Sequence, residues 1–387
     1  MLKRIIYLQF FAFLLGLVTN LVHPITPAYL RVLKVDDYFF GLFFAAMNLG
    51  IFLAAPFWGN LGNTKTKGIL IGIGFLGYGL SQFLFGYFDN QYLILLVRFT
   101  AGIFTASFQV LTLTYLLEMP INNKKTQLSI YLALVVLGGS FGYLIGGLLG
   151  DYFDDLKNIF YLQAGFSMIL FLLAFFLFEN KEDQKQEKRK LFPALKEIKT
   201  LPKGLYLLFI VVMIANISFI SFARYLDLYL TDLNHLTSTI GVVNFVTGII
   251  TIFVSLVVVP FLLRKYQGLK IVVISLMGAG LFSFLTFILP QEGVIYFIFS
   301  LFMVYTGFKT VYEPAMIAHL NEQKVINTGA LMGLRQSALA LGAVLGPAIA
   351  GVLYGVINFY LFIILASLLM LASLMLMGYQ NKGGAKT

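Results

Sequence analysis

Long apolar runs, separated by short polar loops, occupy most of the chain. A helix that crosses the hydrocarbon core of a bilayer needs about 20 such residues. Twelve runs reach about that length, and the alternating ten-residue pattern of a membrane β-barrel is not seen. We therefore predict an all-α membrane protein with twelve transmembrane spans, approximately at 5–29, 38–61, 69–88, 92–117, 128–150, 158–178, 204–230, 237–263, 269–289, 294–318, 328–354 and 357–378.

Basic residues are concentrated in every second loop of this arrangement. If the N-terminus is cytoplasmic, the cytoplasmic loops and termini contain 20 Lys and Arg residues, and the outer loops contain three. By the positive-inside rule, this predicts an inner-membrane protein with both termini in the cytoplasm. The same asymmetry accounts for the net charge of +10, so a nucleic-acid partner is not expected.

Composition supports the bilayer as the main solvent of this surface. Hydrophobic residues make up 59% of the chain and charged residues only 11%. A soluble domain has roughly 25% charged residues. The one long polar stretch, 179–203, is interpreted as a cytoplasmic linker between an N-terminal six-helix bundle, 1–178, and a C-terminal bundle, 204–387.

Glycines recur at one spacing in spans 5 and 11. Gly138, Gly142 and Gly147 in span 5 are each followed, 204 residues later, by a glycine in span 11. Three matches at one offset predict a parallel internal repeat of two six-helix halves. Small residues four apart also allow membrane helices to pack closely, so a packing role and a role in conformational change both remain open.

Two further motifs, GNLGNTKTKG after span 2 and LILLVRFTAG in span 4, resemble those of the major facilitator superfamily. The loop after span 2, GNLGNTKTKG, matches the family's G-x-L-a-D-r-x-G-r-k at Gly59 and Lys67, but Asn63 replaces the acid. That replacement implies that the family's cytoplasmic latch is weaker here or is made by other residues. Span 4 has Arg98 and Gly102 in the family pattern L-x-x-R-x-x-x-G.

The glycine-rich spans are similar to the motif of the family's drug:proton antiporters. In span 5 Tyr143 replaces the expected proline, whereas span 11 has a fuller copy. The resemblance implies two six-helix pseudo-repeats around a central cavity lined by spans 1, 4, 7 and 10. The motif residues are Gly138, Gly142, Gly146, Gly147, Gly342, Gly346, Pro347 and Gly351.

Ionisable residues inside membrane spans are costly and are functional candidates by default. Most of those found here lie on spans that the resemblance assigns to the cavity. Local ion pairs, Arg224 with Asp227 and Lys309 with Glu313, are the simpler interpretation, while Arg98 could point outward and Arg335 could anchor the interface. The proton-coupling candidates are Asp227, Glu313, Lys309, Arg224, Arg98 and, at the outer end of span 1, His23.

Polar and aromatic residues on the same spans are candidates for the substrate cavity. Such side chains suit apolar or aromatic guests. Because aromatic residues make up 16% of the chain, packing or lipid contact is the competing interpretation for each one. The candidates are Asn20, Phe104, Phe108, Gln109, Tyr225, Tyr305, Phe308 and Tyr312.

These features favour a secondary transporter, with proton-coupled efflux of amphipathic molecules as the leading hypothesis. The alternatives are transport of a specific organic anion, a lipid flippase or a membrane sensor. The chain has no Cys and three scattered His, so a metal site is not expected. A catalytic residue set and a cofactor are also not expected. The expected partners are a small-molecule substrate, protons and the bilayer, and we expect a monomer.

Overall fold

Every regular element in the described part of the chain is a helix, as the apolar pattern predicts. The computed structural model describes residues 2–63, 65–120, 123–178, 203–289, 292–322 and 328–383. The helices are α1a (Leu2–Asn20), α1b (Thr26–Val32), α2 (Asp37–Gly62), α3 (Lys67–Tyr87), α4 (Gln91–Glu118), α5 (Lys124–Tyr152), α6 (Lys157–Leu177), α7 (Lys203–Asp232), α8 (Thr237–Lys265), α9 (Gly268–Ile288), α10 (Val294–Glu322), α11 (Thr328–Ile357) and α12 (Tyr360–Gly383).

Eleven helices in the described ranges, α2 to α12, are long and apolar enough to cross a membrane. The first predicted span, 5–29, is wrong as a single helix. It is divided into α1a and α1b, and only Arg4–Asn20 of α1a forms an apolar helix, which is shorter than the others. The division has a local cause: Pro24 lies in the turn and Pro27 in the first turn of α1b, where a missing backbone N–H is tolerated.

Two helices of the C-terminal half contain π-helical segments. In α8 this segment is Val254–Val258, and in α10 it is Ile298–Phe302. A π segment widens one turn of a helix and often occurs at functional positions. The sequence pattern did not predict either segment, because both consist mainly of apolar residues that fit an ordinary transmembrane helix.

The chain packs into two compact units. The first contains the described residues of Met1–Leu191 together with Leu230–Gly248, and the second contains those of Phe192–Tyr229 and Ile249–Thr387. The C-terminal end of α7 and the start of α8 thus pack with the first unit. The predicted linker falls almost entirely at 179–202, outside the described residues, so the domain boundaries remain a prediction.

The same helix pairs pack together in both units. In the first unit α3 packs against α4 and α6, and in the second unit α9 packs against α10 and α12. These are the third, fourth and sixth helices of each half. The equivalence agrees with the predicted pair of six-helix pseudo-repeats.

The glycines of α5 allow it to pack directly on the backbone of α1a. A Cβ atom on Gly138 would overlap the carbonyl oxygen of Phe13, and one on Gly142 would overlap that of Leu17. Gly146 is equally close to the carbonyl oxygen of Leu21. A side chain at these positions would therefore push the two helices apart.

The second unit repeats this packing between α11 and α7. A Cβ atom on Gly342 would lie 2.9 Å from the carbonyl oxygen of Met213, and one on Gly346 would lie 2.9 Å from that of Ile217. In each half, glycines of the fifth helix thus contact the first helix. This equivalence supports the internal repeat inferred from the 204-residue spacing, although the approach in the second unit is less tight.

Candidate functional site

The second unit brings charged residues from α7, α10 and α11 near one another. Arg335 on α11 forms an ion pair with Glu313 on α10, with 2.5 Å between Nη2 and Oε1. The Arg335 side chain is 9% exposed and that of Glu313 is 60% exposed. The expectation that Arg335 serves only as an interface anchor is therefore wrong, because its guanidinium is buried and paired with an acid on the neighbouring helix.

Lys309 lies one helical turn before Glu313 and is half-buried. Its Nζ lies 6.0 Å from the ring centroid of Phe219 on α7, within reach of a cation–π interaction. The Lys309 ammonium is repelled by the positive charge of Arg224 and attracted by the negative charge of Glu313. Glu313 makes its short ion pair with Arg335, so the simple Lys309–Glu313 pair suggested by their spacing is not the main contact of this acid.

The acid of α7 is more deeply buried. Asp227 is 3% exposed, and Arg224, one turn earlier, is half-buried. A charged carboxylate in such surroundings needs a partner or a proton, because removal from water is costly. Together with Arg224, Lys309, Glu313 and Arg335, Asp227 makes a set of ionisable residues on three helices of one unit.

Two aromatic candidates lie beside these charges. Tyr305 and Tyr312 of α10 are buried and pack against Phe219, with ring centroids 6.3 and 5.4 Å away. Within the described residues neither hydroxyl has a hydrogen-bond partner. A buried hydroxyl without a partner costs about 1–3 kcal/mol, so each is a polar atom that a polar guest could satisfy.

The other aromatic candidates of this unit have packing roles. Tyr225 donates a hydrogen bond of 3.4 Å to the carbonyl oxygen of Pro347 and packs on Tyr354, both in α11. Phe308 is directed to α9, where its ring stacks on Phe282 and lies against Gly278. Both residues therefore pack against a neighbouring helix, and their predicted place in a substrate cavity stays a prediction.

Arg98 of α4 is buried in the first unit, at 3% exposure. Its guanidinium carbon lies 3.9 Å from the ring centroid of Phe85 on α3, a close cation–π contact. The alternative that this arginine points outward to the interface is therefore wrong. Its predicted role in proton coupling is not tested by this geometry.

His23 lies in the turn between α1a and α1b and is buried. Its ring stacks on Tyr143, with 5.5 Å between centroids and 24° between planes. Nearby, the amide nitrogen of Asn20 donates a hydrogen bond of 2.8 Å to the carbonyl oxygen of Gly16. Tyr143, which replaces the expected proline of span 5, thus packs against His23, one of the candidates predicted from the sequence.

The three candidates of α4 differ in their surroundings. Phe108 is fully buried and stacks on Phe75 at 4.2 Å, and Phe104 lies over Gly77, so both pack against α3. Gln109 is exposed. Phe104 and Phe108 thus stabilise the packing of α4 on α3 within the first unit.

The loop motif has an ion pair that the sequence did not predict. Lys67, at the start of α3, is buried and lies 2.8 Å from the carboxylate of Glu118 at the end of α4. Asn63 is the residue after the last turn of α2, and its backbone N–H bonds to the carbonyl oxygen of Asn60. Lys67 therefore has an acidic partner although Asn63 is neutral.

Polar contacts also join α1b, α2 and the end of α7 within the first unit. The Arg31 guanidinium forms two hydrogen bonds of 2.8 Å to Asp232 and an ion pair with Asp37. The carboxylates, Asp232 first, raise the pKa of Arg31 above its ordinary value. Asp151 of α5 accepts hydrogen bonds from the backbone N–H and hydroxyl of Thr237, at the N-terminus of α8.

The described residues contain no group of three or more His, Cys, Asp or Glu side chains that could hold a metal. They combine long apolar helices with ionisable side chains buried between them. This combination defines a multi-pass membrane protein with a transporter-like helix bundle.

The chain belongs to the Major Facilitator Superfamily, whose family model matches residues 8–321. Members of this family are membrane transporters and not enzymes. Among curated relatives, the multidrug resistance protein MdtG of Serratia proteamaculans is 29% identical over 248 residues, which is 62% of this chain and 58% of that protein. MdtG of Proteus mirabilis is 27% identical, over 64% of this chain and 62% of that protein. The matches thus span about three fifths of the relatives' length.

Solved structures agree on the fold. A crystal structure of the nucleoside transporter NupG has a TM-score of 0.81, with 15% identity and coverage of 98% of this chain and 100% of that one. An inward-facing, occupied structure of a bacterial homologue of the human lysosomal transporter Spinster has a TM-score of 0.75, with 11% identity and coverage of 98% and 96%. At such identities the likeness shows the fold alone.

Proposed function

We propose that this protein exports amphipathic organic molecules from the cytoplasm by alternating access, in exchange for protons. The relatives of this chain that are named for multidrug resistance support the direction and the substrate class. The positive-inside pattern supports an inner-membrane protein with both termini in the cytoplasm. We also propose that the transporter acts as a monomer.

The observation that carries the proposal is the deep burial of Asp227, which is 3% exposed within α7. A membrane-embedded carboxylate is costly when charged, and proton binding removes that charge. Asp227 is therefore the first candidate for a reversible proton carrier. Glu313 is the second, because a proton on Glu313 would weaken its ion pair with Arg335.

The substrate surface that we propose lies on α10 beside α7. Tyr305 and Tyr312 offer aromatic faces and two buried hydroxyls, and Lys309 lies between them along the helix. Aromatic faces bind an apolar body, while hydroxyls bind a polar group at its edge. This is the combination that an amphipathic substrate needs.

The experiment uses the purified protein in proteoliposomes with an imposed pH gradient. Amphipathic cationic dyes should move against the proton flux, and each dye should induce a proton signal in the opposite direction. Asp227→Asn and Glu313→Gln should each reduce this coupling, and the double variant should abolish it. Asp154→Asn, which removes an exposed acid outside the spans, is the matched control and should behave like the wild type.

One outcome would contradict the assignment of the carriers. If the double variant exchanges protons for dye at the wild-type ratio, coupling lies elsewhere, and His23 is the next residue to test. If no dye moves in either direction under any gradient, the efflux proposal itself is wrong.

A second candidate function is transport of an organic anion. The set on α7, α10 and α11 contains Arg224, Lys309 and Arg335 but only two acids, so it has one excess positive charge. Such an excess favours a negatively charged guest. In the same proteoliposomes, uptake of organic anions with no response to cationic dyes would favour this function, and Lys309→Gln should then weaken anion binding.

A further inference from the structure

A groove outside the charged set lies in the second unit, between α8, α9 and α10. It has a volume of about 700 Å³ and is lined largely by apolar side chains. Ligand pockets in proteins are roughly 300–1,000 Å³. Four of its lining residues are among the exposed large hydrophobics of the chain, namely Phe253, Tyr266, Ile274 and Val304. The groove is thus open at the surface of the helices, where lipid chains lie.

Two local features account for the open space. The groove follows the π-helical segment Val254–Val258 of α8, where the helix is widened. On α10, Gly307 lines the groove, and a Cβ atom added there would meet only Val254 Cγ2, at 3.9 Å. Because position 307 has no side chain, the space between the helices is not filled.

One end of the groove is positively charged. Lys270 and Tyr266 line this end, and Lys265, the last residue of α8, is adjacent to the short connection between α8 and α9. The ammonium groups of Lys265 and Lys270 lie 5.5 and 6.0 Å from the Tyr266 ring. None of the residues that line the groove carries a carboxylate. The predicted topology places this connection at the cytoplasmic surface.

We propose that this groove binds one anionic phospholipid of the cytoplasmic leaflet. An acyl chain would lie along the apolar helices, and the phosphate would lie between Lys265 and Lys270. Anionic lipids are attracted by basic residues next to a membrane span, and tyrosine favours the headgroup level. A cationic substrate would be repelled by the same two ammonium groups, so the lipid fits the charge and the apolar walls together.

Fluorescence quenching by brominated lipids tests the site directly. A single tryptophan is placed in the groove as Phe253→Trp in a Trp58→Phe background, since Trp58 is the only native tryptophan. Phe253 is 58% exposed and lines the groove. The control tryptophan replaces Phe176, which is 83% exposed on α6 in the first unit. Each protein is reconstituted with phosphatidylcholine or phosphatidylglycerol brominated on the acyl chain.

Brominated phosphatidylglycerol should quench the groove tryptophan at a several-fold lower mole fraction than brominated phosphatidylcholine. The control tryptophan should show no preference. Lys265→Gln with Lys270→Gln should remove the preference, and the double substitution Lys65→Gln with Lys124→Gln, in other predicted cytoplasmic loops, should not. Equal quenching by the two lipids in the groove, or the same preference at Phe176→Trp, would overturn the proposal.

A second pair of variants distinguishes lipid binding in the groove from electrostatic attraction of the lipid to the basic loop alone. Gly307→Phe should fill the space and remove the preference with both lysines in place. Gly165→Phe, at a glycine with no neighbouring atom within 4 Å of an added Cβ, should leave it unchanged. If Gly307→Phe retains the preference, the lipid binds the loop only and the groove is not its site. If Trp58→Phe does not fold, the buried Trp58 is kept, and its constant signal is subtracted.

Discussion

Equivalent glycines in the two repeats should respond differently to the same substitution. A Cβ atom on Gly342 would lie 2.9 Å from the carbonyl oxygen of Met213, about 0.5 Å short of ordinary contact. At Gly138 the added atom would overlap the carbonyl oxygen of Phe13, so α1a and α5 would have to separate by more than an ångström. We predict that Gly138→Ala is much more destabilising than Gly342→Ala.

The magnitudes follow from two opposing effects. Alanine stabilises a helix relative to glycine by about 0.5–1 kcal/mol. Overpacking costs about 1–3 kcal/mol, and the cost increases with the size of the overlap. For Gly342→Ala the two effects nearly cancel, to within about 1 kcal/mol. For Gly138→Ala a net loss of about 2 kcal/mol or more remains, which is roughly a 30-fold change in the unfolding equilibrium.

The assay is unfolding of the purified protein in mixed micelles by increasing SDS, followed by circular dichroism and by the fluorescence of Trp58. Gly165→Ala is the control, because an added Cβ there meets no atom within 4 Å. This variant should be as stable as the wild type or slightly more so. Equal losses of stability for Gly138→Ala and Gly342→Ala would refute the reasoning, because the closer helix packing at Gly138 would then have no effect on stability.

Three further predictions concern ion pairs and topology. Arg335→Gln and Glu313→Gln should each lower stability by about 1–3 kcal/mol, and the double variant by less than their sum, as a double-mutant cycle in thermal unfolding will measure. Lys67→Met should lower stability by leaving Glu118 without its cation, and adding Glu118→Leu should recover part of the loss in SDS unfolding. A reporter enzyme fused after Thr387 should be active only in its cytoplasmic form, and activity of an exported reporter there would contradict the twelve-span topology.

The helices could be predicted from sequence because the bilayer requires long apolar runs. Nearly every predicted span agrees with an observed helix to within a few residues. The exception is the first span, where Pro24 and Pro27 divide one apolar run into α1a and α1b. Both prolines were visible in the sequence, but hydropathy alone does not distinguish a bent helix from a broken one.

The ion pairs could not be predicted in the same way. Spacing along one helix indicates only partners three or four residues apart, and it suggested Lys309 for Glu313. The observed partner, Arg335, is 22 residues away on the next helix. Lys67 and Glu118 likewise meet across two helices. Such contacts depend on helix rotation and tilt, which the pattern of one chain does not determine.

Aromatic residues were the least informative candidates for a related reason. Phe108 and Tyr225 were selected because they lie on helices expected to line a cavity. Each is buried against a neighbouring helix of its own unit. A helix inside a bundle has several buried faces, so its position in the fold does not show which face meets a substrate. The buried hydroxyls of Tyr305 and Tyr312 provide a more specific signal, and only the structure reveals them.

Tyr143 replaces a proline expected in α5, and within the pair of first and fifth helices the two repeats have their prolines in different helices. In the second unit α7 is continuous, and Pro347 lies inside α11, where it removes one backbone hydrogen bond. In the first unit α5 is continuous through Tyr143, and the helix that packs against it is broken at His23 and Pro24. Proline thus lies in the fifth helix of the second unit, but at the break in the first helix of the first unit. Tyr143, the residue that replaces the expected proline, therefore stacks on His23 at the break in the neighbouring helix.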